Sequence, residues 1–346
     1  MWKQIMSHQY VERDSRVVCS EQFYGDKAVR FLYSRVRENA PRMFHVLTGA
    51  RMSRLLSFLN FNAFVDEKFN RQDMLSYMRV VDQAEWAEPP VQLDTLRKIF
   101  ERKIRYWECR PMPPDPAVVV SPCDARMLAG SFDTASHLFI KDKFFDFEEL
   151  LGRNKKTWLK AFEGGNYAIF RLTPEKYHYN HAPVAGRVVD FYQIPGRYNA
   201  CHPDAVVTII HPYSKNKRII TIINTDVPGG TMAGIVAMVE VAALMIGDIV
   251  QCYSEKEYVN PVPVGPGLFM RKGYPKSLFR PGSSTVVLIF QEHRISFAED
   301  IVGNMRFPGV ESIFTRGFGQ PLVETEIMVR SAIGIVCQGS DVTELS

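Results

Sequence analysis

The chain has 346 residues, of which 46% are hydrophobic and 23% are charged. This composition excludes a disordered, collagen-like or small disulfide-stabilised protein, and the length suffices for one large domain or two ordinary ones. The net charge of +4 is too small to indicate nucleic-acid binding by itself, so no nucleic-acid partner is expected.

Residues 1–110 are predicted to form a helical region, because apolar residues recur at helical spacing in 29–36 and 52–59. Between residues 25 and 60 there are seven basic side chains and only two acidic ones. Basic helices with one apolar face suit an anionic membrane surface, so this region is a candidate for membrane apposition. The same pattern also describes an ordinary pair of core-packing helices with a solvated basic face, and the sequence leaves both interpretations open.

After the proline-rich stretch 110–116, short β-branched segments separated by turns predict a β-rich catalytic region over 111–346. Strands are predicted at 117–120, 167–172, 186–192, 205–211, 218–224, 284–290 and 294–297, with 205–211 and 218–224 forming a hairpin. One helix is predicted at 145–152. The sequence therefore predicts an α+β fold, in which a β-rich body carries an N-terminal helical layer.

The longest apolar run, 233–247, is interrupted by Glu240 and is shorter than the roughly 20 apolar residues that span a bilayer. The first residues of the chain lack the apolar core of a signal peptide. The six cysteines contain no CxxC pair, which is typical of reduced thiols in a reducing compartment. We therefore expect a cytoplasmic protein, or one bound peripherally to the cytoplasmic face of a membrane.

Two segments combine residue types that suit acid–base chemistry. Asp124 follows a predicted strand on a turn, where a carboxylate can orient an imidazole, although most such aspartates only cap backbone amides. His178 and His181 lie between predicted strands, and an imidazole changes its charge near neutral pH, so both are candidates for acid–base work. The alternatives are structural histidines, or a metal site with Cys201 and His202 as further ligands, but the spacing matches no known zinc signature.

A third segment is the turn that carries Ser283 and Ser284 into a strongly β-prone run. By itself it describes a polar turn before a core strand. It also suits a strained turn that presents a nucleophilic hydroxyl to a backbone carbonyl. The local sequence leaves both interpretations open.

Five segments carry short motifs. Phe100, Arg102, Arg110 and Pro111 match the pattern FFxR…RP. The other four are SPCDA at 121–125 (pattern SPxDG), KDKFFDFEELLG at 141–152 (KGxxxxxxxLLG), RLTPEKYHYNHAPVAG at 171–186 (RLxPxDYHRxHxPxxG) and KGYPKSLFRPGSSTVVLIF at 272–290 (KGxxxGxFxxGGSTVVLLF). In this order the five segments resemble the phosphatidylserine decarboxylase family, whose patterns these are.

The resemblance implies an enzyme that cuts itself and then depends on a pyruvoyl group generated from Ser284, with no metal and no external cofactor. The family's triad carries over to Asp124, His181 and Ser284. Asp124 would orient His181, which would take the proton from the Ser284 hydroxyl as it attacks the carbonyl of Ser283. The products would be two associated chains, 1–283 and 284–346. His178 matches the family histidine suited to returning a proton to carbon after CO2 leaves.

This sequence departs from the family pattern around the reacting groups. Ser283 replaces the usual glycine before the reactive serine, so cleavage before Ser283 is a second option. Ala125 stands where the family has glycine, Tyr179 replaces an arginine, and Lys176 replaces an aspartate. The triad residues are all present, whereas the residues around them have changed.

The resemblance implies conversion of phosphatidylserine to phosphatidylethanolamine and CO2 at a membrane surface. The altered histidine motif favours an alternative, a soluble decarboxylase of a free and perhaps aromatic amino acid on the same scaffold. A third interpretation is an uncut protein that only binds lipid or a partner. Assembly into a homodimer is left open.

Overall fold

The structure is a computed structural model, and it describes residues 8–21, 43, 82–136, 138, 143–243, 248–282 and 284–337. The basic helices predicted between 25 and 60 lie, apart from Met43, outside the described residues, and so does Ser283. The strands are Gln9–Glu12 (β1), Val18–Ser20 (β2), Val118–Val120 (β3), Ala125–Ser131 (β4), Asn166–Leu172 (β5), Tyr179–His181 (β6), Gly186–Ile194 (β7), Arg218–Asn224 (β8), Ile235–Ala242 (β9), Ile249–Gln251 (β10), Phe269–Met270 (β11), Pro275–Phe279 (β12), Ser284–Phe290 (β13), Ile295–Phe297 (β14), Glu324–Ile327 (β15) and Ala332–Val336 (β16). The α-helices are Leu96–Phe100 (α1), Tyr106–Cys109 (α2), Phe147–Leu151 (α3), Lys156–Ala161 (α4), Pro203–Thr208 (α5), Pro212–Lys215 (α6), Glu299–Asn304 (α7) and Ile313–Phe318 (α8).

Within the described residues, ten strands form one large sheet in the order β11-β7-β8-β9-β13-β5-β4-β15-β1-β2. Two smaller sheets have the orders β10-β12-β6 and β14-β16-β3. Strand β13 lies in the middle of the large sheet, antiparallel to both β9 and β5, and all seven of its residues are buried. Its β-branched and aliphatic residues suit a strand that is covered on both faces. The β-rich α+β architecture that the sequence predicts is confirmed.

Two buried clusters fill the structure. The larger one packs the strands of the large sheet against short helices such as α3. The smaller one is rich in aromatic residues and lies beside β6, with Trp86, Phe100, Tyr106, Tyr177 and Tyr179 among its members; we call it the aromatic cluster. Tyr179 of β6 is a member of the aromatic cluster, so this strand connects the cluster to the rest of the core.

Most of the predicted elements beyond residue 110 are confirmed, but the hairpin of 205–211 with 218–224 is wrong. The second segment is strand β8, whereas the first is mainly helix α5. Pro203 occupies the first turn of α5, where its missing N–H costs nothing. His202 caps the helix by accepting a hydrogen bond from the Asp204 amide. These start signals outweigh the β-branched composition that follows them.

The prediction that all of 1–110 is helical is also wrong in its first part. Strands β1 and β2 form an antiparallel pair, and β1 lies parallel to β15 at the edge of the large sheet. The pairing with β15 joins residues more than 300 positions apart, so no local pattern encodes it. Helices α1 and α2, with short 3-10 helices at Gln83–Glu85 and Pro90–Gln92, are helical elements that the structure describes in this region. No helix among the described residues combines the length and the hydropathy needed to cross a bilayer.

Candidate active site

Ser284 is the first residue of β13, and its side chain is fully buried. It pairs with Ala242 of β9, and two positions further along Val286 pairs with Glu240. Directly paired residues share a face of the sheet and alternate residues share it too, so Ser284 and Glu240 point to the same side. The Ser284 Oγ has no hydrogen-bond partner within the described residues. A buried hydroxyl without a partner is costly, which is typical of a group kept for chemistry.

Strand β6 lies across from that face of the large sheet. The side chain of Asn180, its middle residue, donates to the Oε1 of Glu240 at 3.1 Å and to the Ser277 hydroxyl of β12 at 3.1 Å. Since neighbouring residues of a strand point in opposite directions, Tyr179 and His181 point away from Glu240. The ring of Tyr106, in the aromatic cluster, meets the His181 ring edge-on at 4.8 Å.

The two ring nitrogens of His181 have different partners. Nδ1 lies 2.9 Å from the carbonyl oxygen of Gly273, which can only accept, so Nδ1 carries the proton of the neutral ring. Nε2 then holds the lone pair, and the Tyr177 hydroxyl lies 2.9 Å from it as the donor. Burial lowers the pKa of His181 to about 3. His181 is thus a neutral imidazole with the tautomer that a general base needs, and Tyr177 contacts its basic nitrogen.

His178 is also buried and neutral, but its basic nitrogen is free. Nδ1 lies 2.7 Å from the carbonyl oxygen of Lys176, so by the same argument Nδ1 is protonated. The Nε2 atom has no hydrogen-bond partner in the part of the chain that the structure describes. The ring stacks on Phe100 at 3.7 Å between centroids, and burial, followed by the charge of Arg102, lowers its pKa to about 3.

Asp124 lies on the turn between β3 and β4, next to strand β6, which carries His181. The amide of His181 donates to the carbonyl of Pro122, which attaches β6 to this turn. The Asp124 carboxylate accepts two hydrogen bonds from Arg110, at 2.7 and 3.2 Å, and one from the Val329 amide at 2.7 Å. Burial alone would raise the pKa of Asp124, but the Arg110 guanidinium outweighs it and the pKa is lowered.

The three residues of the predicted triad form no hydrogen-bonded chain among the described residues. Gly273 and Tyr177, rather than Asp124, bind the His181 ring, and Asp124 is held by Arg110. The charge of Asp124 still acts on both His181 and His178. The roles assigned to these residues, and the choice of cleavage before Ser284, stay predictions.

A buried ion pair next to this region was not predicted. Glu240 and Lys276 are both fully buried, and the Lys276 ammonium donates to Glu240 Oε2 at 2.7 Å and to the Gln251 side chain at 2.8 Å. Glu240 also accepts from Asn180, from Gln251 and from the Ser277 hydroxyl. The signal in the sequence was the single carboxylate that interrupts the apolar run 233–247, because a charge inside a buried strand needs a partner.

The residues considered as a metal site are not brought together. Cys201 accepts a hydrogen bond from the Thr285 hydroxyl, and His202 caps helix α5. Among the described residues, the search for metal-ligand geometry finds a different group, formed by His8, Glu21 and Glu324.

The two carboxylates of that group are already paired with arginine side chains. The Arg171 guanidinium lies on both carboxylates, with 2.6 Å to Glu21 and 2.5 Å to Glu324, and Arg126 also pairs with Glu21. The arginines hold the pKa of both carboxyls well below the usual range. A metal ion there would face two guanidinium groups, so the cluster fits a structural ion-pair network that attaches β1 to the sheet.

The comparisons with known proteins all give the same family. The family model described as phosphatidylserine decarboxylase matches residues 96–307, which include the turn of Asp124, both histidines and Ser284. The chain is 28% identical over 304 residues to a phosphatidylserine decarboxylase proenzyme of Fusobacterium nucleatum, covering 86% of this chain and 91% of the relative. It is 30% identical over 295 residues to the proenzyme of Chlamydia trachomatis serovar L2, covering 85% and 90%. It is 27% identical over 285 residues to proenzyme 3 of Schizosaccharomyces pombe, covering 80% of this chain and 27% of that longer protein.

Proposed function

Since the chain belongs to the phosphatidylserine decarboxylase family, we propose that it converts phosphatidylserine to phosphatidylethanolamine and CO2. It is a decarboxylase of the carboxy-lyase class, made as a proenzyme. The observation that carries the proposal is Ser284, whose buried hydroxyl has no hydrogen-bond partner among the described residues and lies at the first position of a central strand.

The proenzyme cuts itself at the bond between Ser283 and Ser284. The Ser284 hydroxyl adds to the carbonyl carbon of Ser283, the C–N bond breaks, and the amide becomes an ester. Elimination then expels Ser283 as a carboxylate, and hydrolysis of the remaining enamine releases ammonia and leaves a pyruvoyl group. Gly282, one residue upstream of the bond, has φ 147°, a conformation open to glycine and strained for other residues.

The fold explains how the two product chains would stay together. After cleavage, β13 begins the small chain, while its neighbours β5 and β9 belong to the large chain. Seven residues of β13 pair with each neighbour, and every β13 side chain is buried. β15 pairs with β1 and β4, which also belong to the large chain. Breaking one bond at the strand's first residue leaves these contacts in place.

Ser284 fits the precursor of a pyruvoyl group, because its hydroxyl is buried without a hydrogen-bond partner among the described residues and its Cα would become the keto carbon. When present, the group supplies an electron-withdrawing carbonyl that stabilises the carbanion left by CO2. The free Nε2 of His178 is suited to hold a proton and return it to that carbon. His181 is suited to act as the base for maturation, once its Nε2 is released from Tyr177.

Two measurements on the purified protein test the proposal. The mature enzyme should run as two chains on a denaturing gel, and mass spectrometry should find a pyruvoyl group at the start of 284–346. The mature enzyme should release CO2 from vesicles that contain phosphatidylserine. Free serine and aromatic amino acids, assayed in parallel, should release none. Release from the free amino acids alone would support the soluble alternative and contradict the lipid substrate.

A further inference from the structure

A basic cavity of about 1170 Å³ lies on the large sheet, away from the groups that the proposed reaction uses. Its lining includes five cationic side chains and one acidic one: Arg153, Lys155, Arg197, Lys215, Arg218 and Glu149. The cavity is bounded by strands β7 and β8 and by the segments around α3 and α6. An excess of four positive charges over this surface makes it a site for an anion.

Two of the arginines have unused capacity to bind. Arg153 is exposed and makes no ion pair or hydrogen bond with its side chain in the described part of the chain. Among the described residues, the buried Arg218 donates only to backbone carbonyls, at 2.8 Å to Leu150, at 2.7 Å to Asn216 and to that of Glu149. A guanidinium has five N–H donors, so two of them have no acceptor here. Burial lowers the pKa of Arg218 to about 10, since its charge is only partly compensated.

The two lysines are partly neutralised. Lys155 pairs with Asp190 at 2.7 Å, and Lys215 pairs with Glu149 at 2.7 Å. Arg197 also has an interaction within the chain. The capacity to bind an anion therefore lies mainly with Arg153 and Arg218. Multiple N–H donors in a planar fork suit the oxygens of a phosphate group better than a point charge does.

The cavity is separate from the reacting serine but close to it. Arg218 pairs with Val241 of β9, and the next residue, Ala242, pairs with Ser284. Adjacent residues of a strand point to opposite faces, so Arg218 lies on the face that Ser284 does not use. The two residues are two strands apart at the same end of the sheet, which is about 10 Å. A ligand in the cavity would therefore lie beside the active site without entering it.

An apolar residue at the rim of the cavity indicates which kind of molecule would carry the anion. Ile210 lines the cavity, and 74% of its surface is exposed to solvent. An exposed aliphatic side chain next to cations is the combination found at the interface of anionic membranes. We propose that this cavity is an accessory site that binds the phosphate group of an anionic phospholipid headgroup, with Ile210 in contact with the lipid.

The test uses the self-processed enzyme and vesicles of phosphatidylcholine with or without phosphatidylglycerol, which has no carboxylate to lose. Binding is thus measured independently of decarboxylation, and a failure here leaves the proposed function untouched. The variants are Arg153→Gln and Ile210→Ser. The matched control is Arg16→Gln, which removes the same charge from an exposed arginine outside the cavity.

Arg153→Gln should weaken binding to the phosphatidylglycerol vesicles about tenfold, or about 1.4 kcal/mol. Arg16→Gln should change it less than about twofold, as expected for one exposed charge at moderate ionic strength. Equal losses in both arginine variants would mean general electrostatic attraction and overturn the site. Ile210→Ser should weaken vesicle binding and leave the weak binding of inorganic phosphate unchanged. Inorganic phosphate that binds as tightly as the vesicles, with no effect of Ile210→Ser, would overturn the lipid as the source of the anion.

Discussion

The buried pair of Glu240 and Lys276 gives the sharpest test of how strand β6, which carries His181, is held in place. Changing Lys276→Met removes the ammonium but keeps most of its volume, which leaves Glu240 as a buried carboxylate without a cation. Breaking a buried ion pair in this way costs about 3–5 kcal/mol. Glu240 keeps hydrogen bonds from Asn180, Gln251 and Ser277, so we expect a value near the lower end, about 3 kcal/mol.

The measurement is urea unfolding in the Ser284→Ala background, in which we expect every sample to be a single uncut chain. The double variant Glu240→Gln with Lys276→Met removes both charges and should be more stable than Lys276→Met alone, because no charge is then left unpaired. Lys256→Met, at an exposed lysine, is the matched control and should stay within about 0.5 kcal/mol of the parent. A loss below about 1 kcal/mol for Lys276→Met, or a double variant no better than the single one, would refute this reasoning.

The remaining predictions concern the site itself. Ser284→Ala should abolish self-cleavage, because its hydroxyl starts the acyl shift, and a gel that still shows two chains would move the cut to another residue. His181→Ala should stay uncut, whereas His178→Ala should be cut and then release CO2 at least about a hundredfold more slowly, as for loss of a general acid; gels and CO2 assays separate the two. Arg110→Met should destabilise the uncut chain by about 3 kcal/mol. Because the pKa of Asp124 is lowered in the folded chain, its carboxylate is charged at neutral pH and the whole loss of stability is expected there. The loss should shrink as the pH falls below about 3.8, where the carboxylate begins to be protonated. The two histidines have folded pKa values near 3, below the usual 6.5, so only the unfolded chain binds their protons at mildly acidic pH. Between pH 6 and 4 the uncut chain should lose about 1.4 kcal/mol per pH unit for each histidine, and His178→Asn should remove one such contribution.

The parts of the fold that local sequence encodes could be predicted. Strand β13 follows a Pro-Gly turn, and its residues 285–289 are all β-branched or aliphatic, so its position was clear from the sequence alone. Helix α5 was missed because its β-branched residues outweighed the proline and the cap that begin it. The parallel pairing of β1 with β15 could not be predicted, since its partners lie at opposite ends of the chain and only tertiary packing selects them.

The candidate site shows the same division between local and tertiary information. The residue types at Asp124, His181 and Ser284 could be identified because each occurs in a short motif. Their hydrogen-bond partners could not, because Arg110 and Gly273 reach them from other segments, and only the fold shows that Tyr177, in the same motif as His181, binds its ring. Arg110 was noted only as part of a motif, and no spacing showed that its guanidinium would bind the Asp124 carboxylate.

The arrangement of the histidines has a consequence for the order of events. The His181 Nε2 accepts a hydrogen bond from Tyr177, on the side of β6 that faces the aromatic cluster, whereas Asn180 points to the face that Ser284 shares. A proton that passes from Ser284 to His181 therefore requires that this bond be broken first. The Nε2 of His178 needs no such change, because it has no partner among the described residues. If His178→Ala stays uncut while His181→Ala is cut, the free nitrogen is the base, and the roles of the two histidines are exchanged.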